Sequence, residues 1–422
     1  MEERMTRASN KTNSNQVEAP QGRRRRRLFV GLGITAAVPV CMWGALHAFP
    51  GFGPAMADGA RSVLGPGAVA WAEDTVYGIE DRIKRVVYRN APPKTYWEEP
   101  AATAPSPALA KAEGAPGQPG EEGAKGEAKP AEFAPANYEA PFPKVASPSD
   151  GRWIPIVDPA DPAGAPAMFK SLVHPDPRRS FAAVAVVAID LSRVDLTMVL
   201  GTVEPRSQAV SREQRPGVIP RERFDTLLAA FNGGFKAEHG HYGAMLDGQT
   251  LIAPRDTSCT VALYKDSSIE IRTWPVVRDR AGDMTGYRQT PPCLVEQGQI
   301  HERLLQAEES KGWGAAVGGE TVIRRSSIGL SSDHKTLFYG FGDSVSAGSL
   351  ARAMKAAGSE DAAQLDVNGM YPRFLFYGRT PPGGTPQVSS ALVPDVPFVR
   401  SEYVGRPEGR DFFYLTRKPR RS

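Results

Sequence analysis

Between Leu28 and Phe49 the chain carries no Asp, Glu, Lys or Arg, and only His47 is weakly basic; the run Arg23-Arg24-Arg25-Arg26-Arg27 stands directly before it. At about 1.5 Å per residue, a helix over this stretch is long enough to cross a bilayer. The segment therefore divides the chain. The positive-inside rule places residues 1–27 in the cytoplasm as a basic tail and everything after about residue 50 outside it, in the periplasm or at the cell surface. Two fates stay open: an uncleaved signal anchor over residues 28–49, or a signal peptide cut after Ala55-Met56-Ala57, which has the small-x-small form of a cleavage site. The length of the apolar stretch and the distance to that cut favour the anchor. Arg26-Arg27-Leu28-Phe29 also has the form of a twin-arginine export signal, which a run of arginines matches by chance.

A chain of 422 residues has room for two or three domains, yet 42 Gly and 38 Pro mark a good part as unpacked, so one main domain is expected. The net charge of +4 sits largely in the arginine run. No basic face interleaved with aromatics follows, which argues against a nucleic-acid partner. Over residues 68–90, Trp71, Ala72, Val76, Ile79, Ile83 and Val86 recur at helical spacing against Glu73, Asp74, Glu80, Asp81, Lys84 and Arg85. Such an amphipathic helix lies on a membrane, pairs with a copy of itself, or folds back on the domain; its mixed charge weakens the first. Residues 98–150 are rich in Pro, Ala, Gly and Glu and nearly empty of core formers, which predicts a disordered linker that holds the domain off the membrane. Cys41 falls in the apolar segment, leaving Cys259 and Cys293 either as a disulfide in an oxidising compartment or as two buried thiols.

Residues 151–422 read as an α+β domain: a mixed β-sheet core of many short strands with a few flanking helices, preceded by the transmembrane helix and the linker. Strands are expected at Trp153–Val157, at Phe181–Leu191 and Val194–Leu200 as a hairpin around Ser192-Arg193, and at Gly243–Leu246 closed by Asp247-Gly248. Others are expected at Cys259–Tyr264, Ile269–Trp274, Thr321–Ile323, Ile328–Ser331, Thr336–Phe341, Arg373–Tyr377 and Asp411–Leu415. Arg221–Leu228 reads as a short helix. Leu350, Ala353, Met354 and Ala357 mark a second one, capped by Ser346 or Ser349 and ended by Gly358.

After that helix, Gln364-Leu365 reads as a short buried strand that delivers Asp366 to the turn Asn368-Gly369. Two other segments also run from an apolar strand into a Gly-containing turn with polar groups: Leu227–Phe235, with Asn232-Gly233-Gly234-Phe235, and Arg325–Leu330. Asn232-Gly233-Gly234-Phe235, Arg325-Ser326-Ser327-Ile328-Gly329, Gly348-Ser349-Leu350 and Leu365-Asp366, taken in that order, resemble the phosphodiester glycosidase family over about residues 180–380. That family shows Asn-Gly-Gly-Phe, Arg-x-x-Ile-Gly, a helix opening Gly-Ser/Thr-Leu, and Leu-Asp-Gly-Gly-Gly-Ser. Where it has Asp-Gly-Gly-Gly-Ser, this chain has Asp366-Val367-Asn368-Gly369-Met370, which reshapes the turn and removes a hydroxyl.

The resemblance implies a hydrolase of sugar-1-phosphodiesters acting on a cell-envelope or extracellular glycan. Asp366 is then the general base or the group that orients water, with Glu238, Asp247 or Asp343 as its partner carboxylate. Arg325 is the cation for the phosphate, or else a salt-bridge member or a solvated surface group. His239 is the general acid. Asn232, Gly233, Gly234, Glu238, His241, Asn368 and Asp343 are the substrate-binding set, the turn amides also offering an anion nest. Glu238-His239-Gly240-His241 has no third ligand in view, so no metal is expected. Asp366 and Asn368 offer oxygens to calcium, but there is no recognised calcium loop, and no other cofactor is called for. The alternative reading is a protein of the same fold that binds carbohydrate or serves the envelope structurally without catalysis. Oligomeric state is not legible in the sequence.

Overall fold

The computed structural model describes residues 66–98, 133–306, 312–314, 321–367, 369–378 and 381–419. By contacts the chain divides between Val69 and Ala70, and all that follows lies within Ala70–Ser422 apart from the first turn of helix α1 (Pro66–Val87). The strands in chain order are β1 Ile154–Ile156, β2 Met168–Val173, β3 Val184–Asp190, β4 Val194–Val199, β5 Leu227–Asn232 and β6 Ala244–Leu246. They continue with β7 Gln249–Ile252, β8 Cys259–Tyr264, β9 Ile269–Thr273, β10 Met284–Thr290, β11 Val295–Glu296 and β12 Gln299–Ile300. The last are β13 Ile323–Leu330, β14 Thr336–Val345, β15 Asp361–Gln364, β16 Phe374–Tyr377, β17 Val388–Ala391 and β18 Phe412–Arg417, with helix α2 (Ala347–Ala356) between β14 and β15. The class is α+β, as expected.

Among the described residues the strands form an eight-stranded sheet β1-β2-β3-β14-β13-β15-β11-β12 and two of five strands, β7-β6-β10-β8-β9 and β17-β16-β5-β18-β4. The large sheet is covered on both faces. Along β3 and the residue before it, Ala183, Ala185, Val187 and Ile189 enter one core with Phe231 and Phe413 of the third sheet, while Val184, Val186 and Ala188 enter another with Leu350 and Met354 of α2. Period-two alternation puts successive side chains on opposite faces. Both sets are apolar, so the strand reads as an unbroken hydrophobic run. Helix α2 begins at Ser346, whose Oγ accepts the Ser349 amide at 3.0 Å, as an N-cap does.

Several expectations change. β3 and β4 are not a hairpin: β3 pairs with β2 and β14, β4 with β18 in another sheet. Asp190 Oδ1 accepts both the amide and the hydroxyl of Ser192, a local turn that sends the chain from one sheet to the other. Arg221–Thr226 is a 3-10 turn, and Leu227 already belongs to β5. β13 runs unbroken through Arg325, where the sequence pointed to a gap. Cys259 and Cys293 are joined in a disulfide.

Residues 133–150 belong to the domain, so an uninterrupted linker over 98–150 does not hold. Phe133 packs edge-on against Phe169 of β2 at 5.7 Å, and Tyr138 against Trp153 at 5.8 Å. On the other side of residues 99–132, Tyr96 donates to the Ala183 carbonyl at 3.0 Å, and Lys170 lies 4.4 Å from the Trp97 ring. His174, fully buried, joins the two: its Nδ1 meets Asp150 at 2.8 Å and its Nε2 the Lys94 carbonyl at 3.0 Å.

Of the three arrangements open to the amphipathic helix, the structure takes the fold-back, by its polar side. Asp81 of α1 accepts two bonds from Arg179, 2.7 and 2.8 Å, and Arg179 also bonds Asp176 at 2.6 Å. Lys84 donates to Ser344 at 3.0 Å. Val76, Ile79, Ile83 and Val86 stay exposed. Among the described residues no helix is long and apolar enough to cross a membrane; Leu28–Phe49 lies outside them.

Candidate functional site

The C-terminal ends of β5 and β15 meet where the chain enters β18. Asn232 ends β5 and pairs with Phe412. The next residues, Gly233 and Gly234, lie against Asp411: the Gly233 amide donates to the Asp411 carbonyl at 2.9 Å and the Gly234 amide to Asp411 Oδ2 at 2.8 Å. A Cβ on Gly233 would stand 2.2 Å from that Oδ2, and one on Gly234 would stand 2.8 Å from the Arg288 guanidinium carbon. These glycines are needed for close approach. Of the two turn amides, one is thus taken by a carboxylate and the other by a carbonyl of the same chain, which leaves neither for an outside anion.

Asp366 joins this cluster from the large sheet. Its amide donates to the Gly233 carbonyl at 3.1 Å, and its Oδ1 accepts the Val367 amide at 2.7 Å. Its Oδ2 is bound by Arg410, whose guanidinium lies 4.0 Å from the Tyr371 ring centre. Asp411 in turn holds Arg288 at 3.0 Å. Asp366, Arg410, Asp411 and Arg288 are all at most 4% exposed, so two charge pairs stand side by side out of water. Burial raises the Tyr371 phenol, and nearby Glu408 raises it further. Burial also raises the Glu408 carboxyl.

Asn232 faces inward. It accepts bonds from the Tyr339 hydroxyl (3.0 Å) and the Arg373 amide (3.1 Å), and donates to Ser326 Oγ (2.8 Å) and the Gly233 carbonyl (3.2 Å). Ser326 passes the chain on to the Asp366 carbonyl at 3.0 Å. An amide side chain has two donor hydrogens and two acceptor lone pairs, and all are used here. Asn232 fastens β5 to β13, β14 and β16; its side chain has no capacity left for a sugar.

Arg325 is likewise turned inward. Fully buried, it donates to the carbonyls of Trp313, Thr321 (3.0 Å) and Val345 (3.1 Å) and to Gln364 Oε1 (2.9 Å). These bonds tie Arg325 to the fold through three carbonyls and one amide oxygen, and it is not the solvated surface group that the sequence also allowed. Arg324 alternates to the other face, as a strand requires, and reaches Asp343 at 3.4 Å and the Gly369 carbonyl at 2.7 Å. Asp343 is partly exposed and thus tied to Arg324, with Lys94 at 3.9 Å.

Glu238 and His239 sit on the 3-10 turn Ala237–His239, their side chains exposed or nearly so and 3.7 Å apart. His241 follows with a positive φ of 48°. This loop is held through its backbone, the Ala237 amide donating to buried Glu204 at 2.9 Å. Asn368 lies outside the described residues. Asp247 takes the positive φ, 51°, of the β6–β7 hairpin turn. Among the described residues no group of three or more His, Cys, Asp or Glu gathers to hold a metal.

The sequence reading missed Arg288, Arg410, Asp411 and Tyr371. Arg410-Asp411 before an apolar strand was a visible signal, a paired charge next to a core segment, but its partners come from distant positions that spacing cannot supply. One further group stands out. Arg215, at the end of the turn Arg212–Gln214, is 4% exposed, and neither its Nε nor its Nη2 has a hydrogen-bond partner. Burial lowers its pKa, against the opposing charges of Asp411 and Glu204.

No family model and no curated protein matches this chain. Among solved structures it is similar to the zebrafish N-acetylglucosamine-1-phosphodiester alpha-N-acetylglucosaminidase catalytic domain auto-inhibited by its pro-peptide, at 13% identity and a TM-score of 0.38, covering 61% of this chain and 85% of that one. A putative exported protein from Burkholderia pseudomallei is similar at 12% identity and a TM-score of 0.33, covering 56% and 74%. A hypothetical protein from Synechocystis is similar at 11% identity and a TM-score of 0.28, covering 56% and 59%.

Proposed function

We propose that this chain is a membrane-tethered, extracytoplasmic hydrolase that cleaves sugar-phosphate diesters of a cell-envelope or extracellular glycan. The observation that carries the reading is Asp366, a carboxylate held at a strand end against Arg410 and beside the Gly233-Gly234 turn. The ordered motifs from Asn232 to Asp366 support it. In this reading Asp366 takes a proton from water as the water oxygen bonds to the anomeric carbon. The carbon–oxygen bond to phosphorus breaks, and the phosphate monoester leaves with the electron pair. Arg410, already at the carboxylate, meets the growing charge on that leaving group. His239 protonates it from the neighbouring loop.

The anchor over residues 28–49 and the outward placement of the domain belong to the same proposal, and the Cys259–Cys293 disulfide supports an oxidising compartment. A second reading, a carbohydrate-binding or structural protein without catalysis, is favoured by the inward engagement of Asn232 and Arg325 and by the turn that departs from Asp-Gly-Gly-Gly-Ser. Release of free sugar from a panel of sugar-1-phosphodiesters by the full chain decides between them. Turnover that falls by about a hundredfold or more in Asp366→Asn supports the hydrolase. Sugar binding with no turnover on any diester supports the second reading.

A further inference from the structure

Arg215 is a buried guanidinium without a hydrogen bond or an ion pair among the described residues. The two atoms left without partners, Nε and Nη2, form one edge of the group, the edge whose parallel N–H bonds match two oxygens of a carboxylate or phosphate. Burying such a group unmatched is costly, because its bonds to water are lost and nothing replaces them. The nearby carboxylates do not replace them. Asp411 is bound to Arg288 and to the Gly234 amide; Glu204 accepts the Ala237 and Arg206 amides on Oε2, and its Oε1 lies 3.2 Å from the Arg206 guanidinium and makes no hydrogen bond among the described residues.

The position of Arg215 relates it to the cluster. Residues 202–204 run along 408–409, with the Thr202 amide on the Glu408 carbonyl at 2.9 Å and the Glu204 amide on the Gly409 carbonyl at 2.8 Å. Gly217, two residues beyond Arg215, accepts the Glu408 amide at 2.8 Å. The segment that bears Arg215 therefore lies beside the one that bears Arg410 and Asp411. Arg410 repeats the feature on a smaller scale, since its Nη1 is also buried without a partner.

We propose that the vacant edge of Arg215 is an oxyanion site that takes a singly charged, two-oxygen group such as a phosphodiester. The charges of Asp411 and Glu204 offset part of the guanidinium charge and repel a second negative charge, so a diester is preferred to a doubly charged monoester. That the oxyanion is the diester of the substrate rests on the hydrolase reading. The anion site itself does not.

The test is calorimetric titration of the full chain with dimethyl phosphate, methyl phosphate and acetate. Dimethyl phosphate is expected to bind, and Arg215→Gln to weaken it by about ten- to a hundredfold, the size of a lost charge-assisted bond. Arg215→Lys, which keeps the charge and lacks the edge, is expected to weaken it too, and serves if the glutamine variant does not fold. Methyl phosphate is expected to bind more weakly as pH rises past about 6, where it gains its second charge. Tighter binding of acetate than of dimethyl phosphate would assign the edge to a carboxylate ligand and overturn the diester. No binding of either, or binding indifferent to both variants, overturns the site. Dimethyl phosphate bound through Arg215, with turnover of sugar phosphodiesters unaffected by either variant, keeps the site and the hydrolase and overturns the substrate diester as its occupant; dimethyl phosphate bound through Arg215 without any turnover keeps the site and overturns the hydrolase.

Discussion

Asp366 reaches Nη2 of Arg410 across the junction of two sheets, and the next residue, Asp411, holds Arg288 through its Nε at 3.0 Å. Both pairs are out of water, and removing one side leaves the other exposed to the cost of burial. A double-mutant cycle on Asp366→Asn and Arg410→Gln is expected to give a coupling of about 1–3 kcal/mol in urea unfolding. Additive effects within about 0.5 kcal/mol would mean the pair does not act as a unit.

Arg325→Lys separates a structural arginine from a phosphate ligand. A lysine ammonium cannot reach the acceptors that the fork of Arg325 serves, so a loss of about 2–4 kcal/mol in stability is expected. KM for a phosphodiester is expected to stay within about twofold of the parent for the folded fraction. A KM raised about tenfold with stability intact would return Arg325 to the substrate, since tenfold is about 1.4 kcal/mol of binding.

The Cys259–Cys293 bridge closes a sequence separation of 34 residues. Chain-entropy arguments give about 3–4 kcal/mol for such a loop. Reduction, or Cys259→Ser with Cys293→Ser, is expected to lower the unfolding free energy by that order, read from denaturant curves with and without reductant. Coincident curves would show that the bridge adds nothing.

At Asp81, burial raises the carboxyl, but the hydrogen bond and charge of Arg179 outweigh it and hold the group below its ordinary 3.8. A carboxyl lowered in the fold gives stability that is present above the unfolded value and is lost as pH falls through the folded one. Helix α1 is therefore expected to stay docked at neutral pH and to become sensitive to an acid-active protease only below about pH 4. Asp81→Asn is expected to show that sensitivity at every pH.

His239 lies on a partly exposed turn, and its replacement is expected to cost at most about 0.5 kcal/mol of stability. As the general acid of the proposed reaction, His239→Ala is expected to lower kcat by about a hundredfold and flatten the alkaline limb of the pH profile. Unchanged kcat would move the acid elsewhere.

Local pattern carried much of this fold. The strand Cys259–Tyr264, the α2 cap at Ser346 and the turn at Asp247-Gly248 are set by residues within a few positions of each other, and they stand where the sequence put them. What was not legible depends on distant partners. The jump from β3 to β4 follows from which sheet accepts each strand, and the fates of Asn232 and Arg325 follow from Tyr339, Ser326, Gln364 and the Val345 carbonyl. A polar residue next to a glycine turn looks the same in sequence whether it faces a ligand or the core. Asp366 and the Gly233-Gly234 turn could be singled out because a motif marks them, and the structure brings them together; Arg410 could not, because its contact with Asp366 is made across the sheet junction.

His174 holds Asp150 on one ring nitrogen and the Lys94 carbonyl on the other, while Phe169 and Lys170, neighbours on β2, meet Phe133 and Trp97. The stretch that ends at residue 98 and the one that begins at residue 133 are thus fixed side by side on the same strand. With both ends held, doubling the length of chain between them costs only about 0.6 kcal/mol in closure entropy. Insertions between residues 99 and 132 are therefore tolerated without loosening either Trp97 or Phe133 from β2.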